Sequence, residues 1–267
     1  MVPLTVTSQQ HTNRRFRQLL SSLMLSLLLL LMSSPSHANS RQTPALKPRI
    51  AIIIDDVGNN AHDLNLLDLP GSITFAVLPH TPYARSFALR AHRANKQLML
   101  HMPMETLNGN ALGPDALTSN MARIDIQNTL LQALDSVPFV EGANNHMGSK
   151  LTQLPSVMNW VMQVLSSRQL YFIDSRTTEY TVAEDIAWRL GLATARRNVF
   201  LDNELDSAAL SRQFNQLLRY AERHGSAIGI GHPYPETVAF LQAHINEIER
   251  RGIELVFASE LTVSMPQ

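Results

Sequence analysis

Two adjacent carboxylates, Asp55 and Asp56, follow a run of five apolar residues from Ile50 to Ile54. Further polar residues fall just after other apolar runs. They are His80, His101 with Glu105, the group Asn144, Asn145 and His146, then Asp174 with Arg176, Asp202, and His232. One or two neutral imidazoles with a carboxylate suit zinc or another late divalent ion, with a coordination position left for water or substrate. An ion held this way polarises a carbonyl and makes hydroxide accessible near neutral pH. A second carboxylate beside the ion can then serve as base, and a histidine across the site as acid. An aspartate pair is also costly in an apolar setting without water, donors or a cation. A plainer role for Asp55 and Asp56 is to cap the segment that follows.

These residues share a rim only if the runs before them are parallel strands. The run from Ile50 to Ile54 reads as a strand buried on both faces. Further strands are expected at Ile73 to Val77, Gln97 to Leu100, Pro138 to Glu141, Leu170 to Ile173, Asn198 to Leu201, Ala227 to Ile230 and Glu254 to Phe257. Helical spacing separates them. Ala61 to Leu69 is a short helix closed by Pro70 and Gly71, and Pro82 to Asn95, Ile124 to Leu134 and Pro155 to Arg168 follow. Thr181 and Glu184 have the spacing of a capping box. Asp206 caps a helix that ends at Gly225, and Pro235 opens one closed by Gly252. Asn108 to Asn120 reads as a loop. About eight strands in β-α alternation predict a distorted (β/α) barrel of seven to eight parallel strands, with an open doubly wound α/β sheet as the alternative. Parallel folds of this kind carry their chemistry at the C-terminal ends of the strands. No phosphate-binding glycine fingerprint follows the first strand, which argues against a dinucleotide.

The 267-residue chain has a formal net charge of zero, so no nucleic-acid partner is expected, and no cysteine, which excludes disulfide and thiol chemistry. Arg14, Arg15 and Arg17 precede a leucine-rich run from Leu19 to Met32, and Ser36-His37-Ala38 follows. That is the pattern of a cleavable secretory signal over residues 1–38, with no membrane span left after cleavage. Residues 39–48 read as a disordered lead-in and 49–267 as the folded domain. The expected location is periplasmic or otherwise extracytoplasmic.

Taken together the motifs resemble the divergent polysaccharide deacetylases, relatives of the NodB-type carbohydrate esterases. Ile54-Asp55-Asp56-Val57-Gly58 is similar to the first motif of that superfamily, and Leu100 to Thr106 to the second motif of the divergent branch. Asn144 to Ser149, Phe172 to Thr177 and Ile228 to Pro233 are similar to the later ones. The resemblance spans Arg49 to Val263 and implies a metal-dependent hydrolase that removes N-acetyl or other acyl groups from a glycan such as peptidoglycan or an exopolysaccharide. It implies Asp55 as base, His232 as acid and Asp56 as metal ligand. The better-studied branch has a second histidine four residues after the first; here that position is Glu105. His101 and His146 are therefore expected as the other ligands, with Glu105 as an alternative ligand or supporting partner. His80, Asn145, Asp174 and Arg176 are candidates for binding substrate, and the ion is expected to be zinc. The altered second motif also fits a different class, a catalytically inactive glycan-binding or partner-regulating envelope protein with the same fold.

Overall fold

The computed structural model describes residues 47–265; the expected signal sequence and most of the lead-in lie outside them. Nine parallel strands form one sheet: β1 Arg49–Val57, β2 Ile73–Val77, β3 Gln97–Met104, β4 Gly142–Met147, β5 Tyr171–Asp174, β6 Thr194–Arg196, β7 Val199–Phe200, β8 Ser226–Gly231 and β9 Glu254–Leu255. The order is β6-β5-β4-β3-β2-β1-β8-β7, with β9 beside the first residues of β1. The helices between them are α1 Ala84–Arg93, α2 Arg123–Ser136, α3 Pro155–Ser167, α4 Ala183–Arg189, α5 Ser207–His224, α6 Pro235–His244 and α7 Asn246–Arg250. A 3-10 helix at Ala61–Asp68 follows β1.

The sheet curls into a distorted barrel, and one bent run of chain spans its two edges. Thr194 to Arg196 pairs with β5, and Arg197 N still donates to the Asp174 carbonyl. From Asn198 onward the same run bonds to β8, through Ile228 and Ile230. Alternation along β1 divides the core in two. Ile50, Ile52 and Ile54 pack toward the helices, while Ala51 and Ile53 join Ala76, Met99, Ile173, Ile228 and Ile230 inside the barrel. Each fully buried aliphatic side chain contributes about 1.5–3 kcal/mol. The lower end is plugged by Ala258–Leu261 and a polar layer in which Gln97 Oε1 accepts from Thr74, Tyr171 and Ser259. Gly142 leaves room for the Tyr171 ring, which a Cβ there would overlap.

Several elements differ from the expectations. The fourth strand is Gly142–Met147 rather than Pro138 to Glu141, because Phe139 takes a φ of 66° that breaks an extended run. β3 continues past Leu100 to Met104, so His101 lies within a strand. Thr181 and Glu184 form no capping box. Thr181 Oγ1 accepts from Ala183 N, and Glu184 N donates to Asp174 Oδ2. The helix opened by Pro235 breaks at Ile245 into two. Asp206 caps α5 as its position predicts, accepting from Ala208 and Ala209, and Gly225 ends it with φ 85°. No helix of the described residues is long and apolar enough to cross a membrane.

Candidate active site

Consecutive residues of a regular strand point to opposite faces, so Asp55 and Asp56 should not share a site. A β-bulge overcomes this. Ile54 pairs with Phe75 but Val57 with Val77, three residues on β1 against two on β2, and Asp56 takes φ 60°. Asp55 keeps the inward direction of Ala51 and Ile53, while the bulge swings Asp56 onto the same rim. The turn beyond is pinned by Asp63 Oδ2, which accepts from Gly58 N at 2.7 Å and Asn60 N at 3.1 Å.

Three ligand-type atoms meet on this rim. His101 Nε2, from β3, lies 3.0 Å from Asp56 Oδ1, and His146 Nδ1, from β4, lies 2.7 Å from it. The two nitrogens are 3.1 Å apart. Register explains the meeting, since β3 and β4 pair Pro103 with His146 and His101 with Asn144. Although both nitrogens are close, buried Asp56 Oδ1 accepts no hydrogen bond. Three lone-pair atoms with edges near 3 Å match ligands placed around a common ion at about 2.1 Å. The donor set fits a divalent metal such as zinc.

Asn144 lies behind this cluster with no exposed surface. Its Nδ2 donates to Asp55 Oδ1 at 2.8 Å, and its Oδ1 lies 2.6 Å from His101 Nδ1. Only the amide nitrogen can donate to a carboxylate, so the amide oxygen must face the ring, and His101 carries its proton on Nδ1. Nε2 is thereby left bare toward the cluster, the usual arrangement behind a metal-binding histidine. Asp55 is buried, which raises its pKa against the pull of His101 and His232. Its Oδ2 lies 3.7 Å from His101 Nε2, beside the ligand cluster.

His232 enters from the end of β8, with Nε2 3.9 Å from Asp56 Oδ2. Its backbone N donates to Asp202 Oδ2 at 2.6 Å and its Nδ1 lies 2.9 Å from Asp202 Oδ1. Thr237 Oγ1 also donates to Asp202. Burial works against a charged imidazole here, but Asp202 outweighs it and the pKa rises to about 9. Asn144 and Asp202 thus orient the two histidines. Both were visible as polar residues at strand ends, but only strand register assigns them these roles.

The remaining candidates stand elsewhere. Glu105 Oε1 pairs with Lys150 at 2.7 Å and Oε2 accepts from Ser119 N at 2.6 Å; these bonds pull its pKa to about 2. It anchors the loop after β3 and is outside the ligand cluster. His80 is exposed, 3.7 Å from Asp115. Asn145 donates to the Met147 carbonyl and accepts from Ser175 N, tying β4 to β5. Asp174 accepts from Arg176 N, Thr181 Oγ1 and Glu184 N. Arg176 follows with φ 48°. A cleft of about 180 Å³ opens beside Asp56 and His146, walled by Leu78, Pro79, Pro103 and the 111–114 segment. A larger cavity, of about 530 Å³, is bounded by Lys47, Pro70 and Ile245 and contains none of these side chains, so the smaller cleft marks the site.

The sequence model of a family described as divergent polysaccharide deacetylase matches residues 52–262. The chain is 40% identical over 220 residues to the uncharacterized protein YibQ of Escherichia coli (strain K12), covering 82% of this chain and 69% of that one. An uncharacterized protein from Agrobacterium tumefaciens C58 superposes with a TM-score of 0.78 at 25% identity, over 82% of this chain and 91% of that one. The catalytic domain of a peptidoglycan N-acetylglucosamine deacetylase from Eubacterium rectale ATCC 33656 shares the fold, with a TM-score of 0.54 at 12% identity, over 82% and 93% of the two chains.

Proposed function

The chain belongs to the divergent polysaccharide deacetylase family, and from that premise we propose that it is an exported, zinc-dependent hydrolase removing N-acetyl groups from a cell-envelope glycan, peptidoglycan or an exopolysaccharide. The observation that carries this reading is the convergence of Asp56 Oδ1, His101 Nε2 and His146 Nδ1 beside a buried aspartate and opposite a histidine held by Asp202.

A metal on these three atoms supplies Lewis-acid polarisation of the acyl carbonyl and acidifies water. Asp55 takes the proton of the attacking water, with Asn144 holding its other oxygen in place. His232 gives a proton to the amine as the C–N bond breaks, so that water adds across the amide and acetate and a free amine leave. Asp202 keeps the His232 ring turned with Nε2 toward the reacting group. Periplasmic placement rests on the basic, apolar and small-residue order of residues 14–38.

The test is acetate release from acetylated oligosaccharides and peptidoglycan fragments by zinc-loaded protein. Asp55→Asn should abolish release and keep the zinc. Equal release by Asp55→Asn would remove Asp55 from this role. Glycan binding without release, in any metal, would instead favour a binding protein with the same fold.

A further inference from the structure

Arg197 is a half-buried cation at the point where the bent strand leaves β5 for β8. Its Nε donates to the Ser175 carbonyl at 2.7 Å and Nη2 to the Arg176 carbonyl at 2.8 Å. Its Cζ lies 3.7 Å from the centre of the Phe200 ring, and that ring in turn stacks on His232, with centroids 6.2 Å apart. The guanidinium is therefore one aromatic ring away from the residue assigned as acid.

No carboxylate is within ion-pair distance of Arg197 among the described residues. Asp174 and, less strongly, buried Asp55 pull on it from beyond that distance, and Asp174 already accepts from three donors. Half-buried charges ordinarily have a counter-ion. Burial and neighbouring Arg176 press its pKa down to about 10, so it stays charged at neutral pH. The two carbonyls occupy two of the five guanidinium N–H groups, leaving three. On the segment that Arg197 holds, Ser175 Oγ is buried without a partner.

We propose that Arg197 recognises a carboxylate on the substrate, so that the enzyme acts on an acidic glycan rather than a neutral one. A planar guanidinium braced by an aromatic ring is suited to a carboxylate, which it can grip with two parallel bonds. Arg176, whose side chain has no hydrogen bond or ion pair among the described residues, is near enough to press on Arg197 and adds a second positive charge beside it. The inference rests on the glycan reading above, and its test does not depend on turnover.

The experiment is equilibrium binding to the zinc-loaded protein in an Asp55→Asn background, so that no probe is consumed. The probes are chitotetraose and the tetrasaccharide alternating N-acetylglucosamine with N-acetylmuramic acid, which adds lactyl carboxylates to the same backbone. The acidic probe should bind at least about tenfold tighter, and added salt should erode that preference. Arg197→Gln should weaken the acidic probe on the order of tenfold to a hundredfold, leaving chitotetraose within about twofold. Equal affinity for the two probes, or a preference that survives Arg197→Gln, overturns the proposal. If Arg197→Gln does not fold, the probe pair and its salt dependence decide the matter with Arg197 in place. Binding of neither probe would overturn the glycan reading as well.

Discussion

Replacing Asn144 by alanine removes two buried bonds at once, the 2.6 Å contact with His101 Nδ1 and the 2.8 Å bond to Asp55 Oδ1. Water replaces them poorly, because His101 and Asp55 are each 2% exposed. Each partner left unpaired costs about 1–3 kcal/mol, so the metal-free protein should lose about 2–6 kcal/mol. At roughly 2–4 °C per kcal/mol for a domain of this size, that is a fall in Tm of about 4–24 °C. His101 also loses the group that keeps Nε2 bare, and loss of such a partner weakens metal binding about tenfold to a hundredfold. Zinc competition against a chromophoric chelator reads that affinity, and thermal melts in chelator read stability. Asn144→Asp separates the two jobs. It restores an acceptor for His101 but offers no donor to Asp55, so zinc affinity should recover while turnover stays low. A folded Asn144→Ala protein with wild-type zinc affinity would refute this reasoning.

Asp202→Asn should keep zinc and reduce turnover by about a hundredfold or more, because His232 loses its ionised partner; steady-state kinetics beside metal analysis check this. Glu105→Gln should keep zinc, since Glu105 serves Lys150 and Ser119. Its pKa is depressed to about 2 from 4.5, so its contribution to stability is present above pH 4.5 and lost as pH falls toward 2. Melts of wild type and Glu105→Gln should therefore converge over that interval; a constant gap would contradict it. Asp206→Ala removes a helix cap that accepts two backbone N–H bonds, and should cost about 1 kcal/mol in denaturant unfolding with no change in zinc content.

The alternation of strands and helices was legible because the helices keep apolar residues at helical spacing and the strands are short apolar runs. The strand ends therefore pointed to the rim on which the structure brings Asp56, His101 and His146 together. What escaped was set by pairing between strands. β4 reads as a polar loop because its inward positions are Asn144 and His146, and only the neighbouring β3 makes that strand evident. The bulge that brings Asp56 beside Asp55 depends on register with β2. Glu105 is four residues from His101, but along a strand rising about 3.3 Å per residue that is some 13 Å, too far to share an ion. β6 has three residues and no periodicity to display. Arg197 carries no motif; its position follows from the strand changing neighbours.

Zinc content of the protein purified without chelator, for wild type, His101→Ala, His146→Ala and Glu105→Gln, decides which side chains hold the ion. Wild type and Glu105→Gln should carry close to one equivalent of zinc, and both histidine variants should lose it. Zinc retained by His146→Ala and lost from Glu105→Gln would contradict the Asp56, His101 and His146 ligand set, and would move the third ligand from β4 to the end of β3.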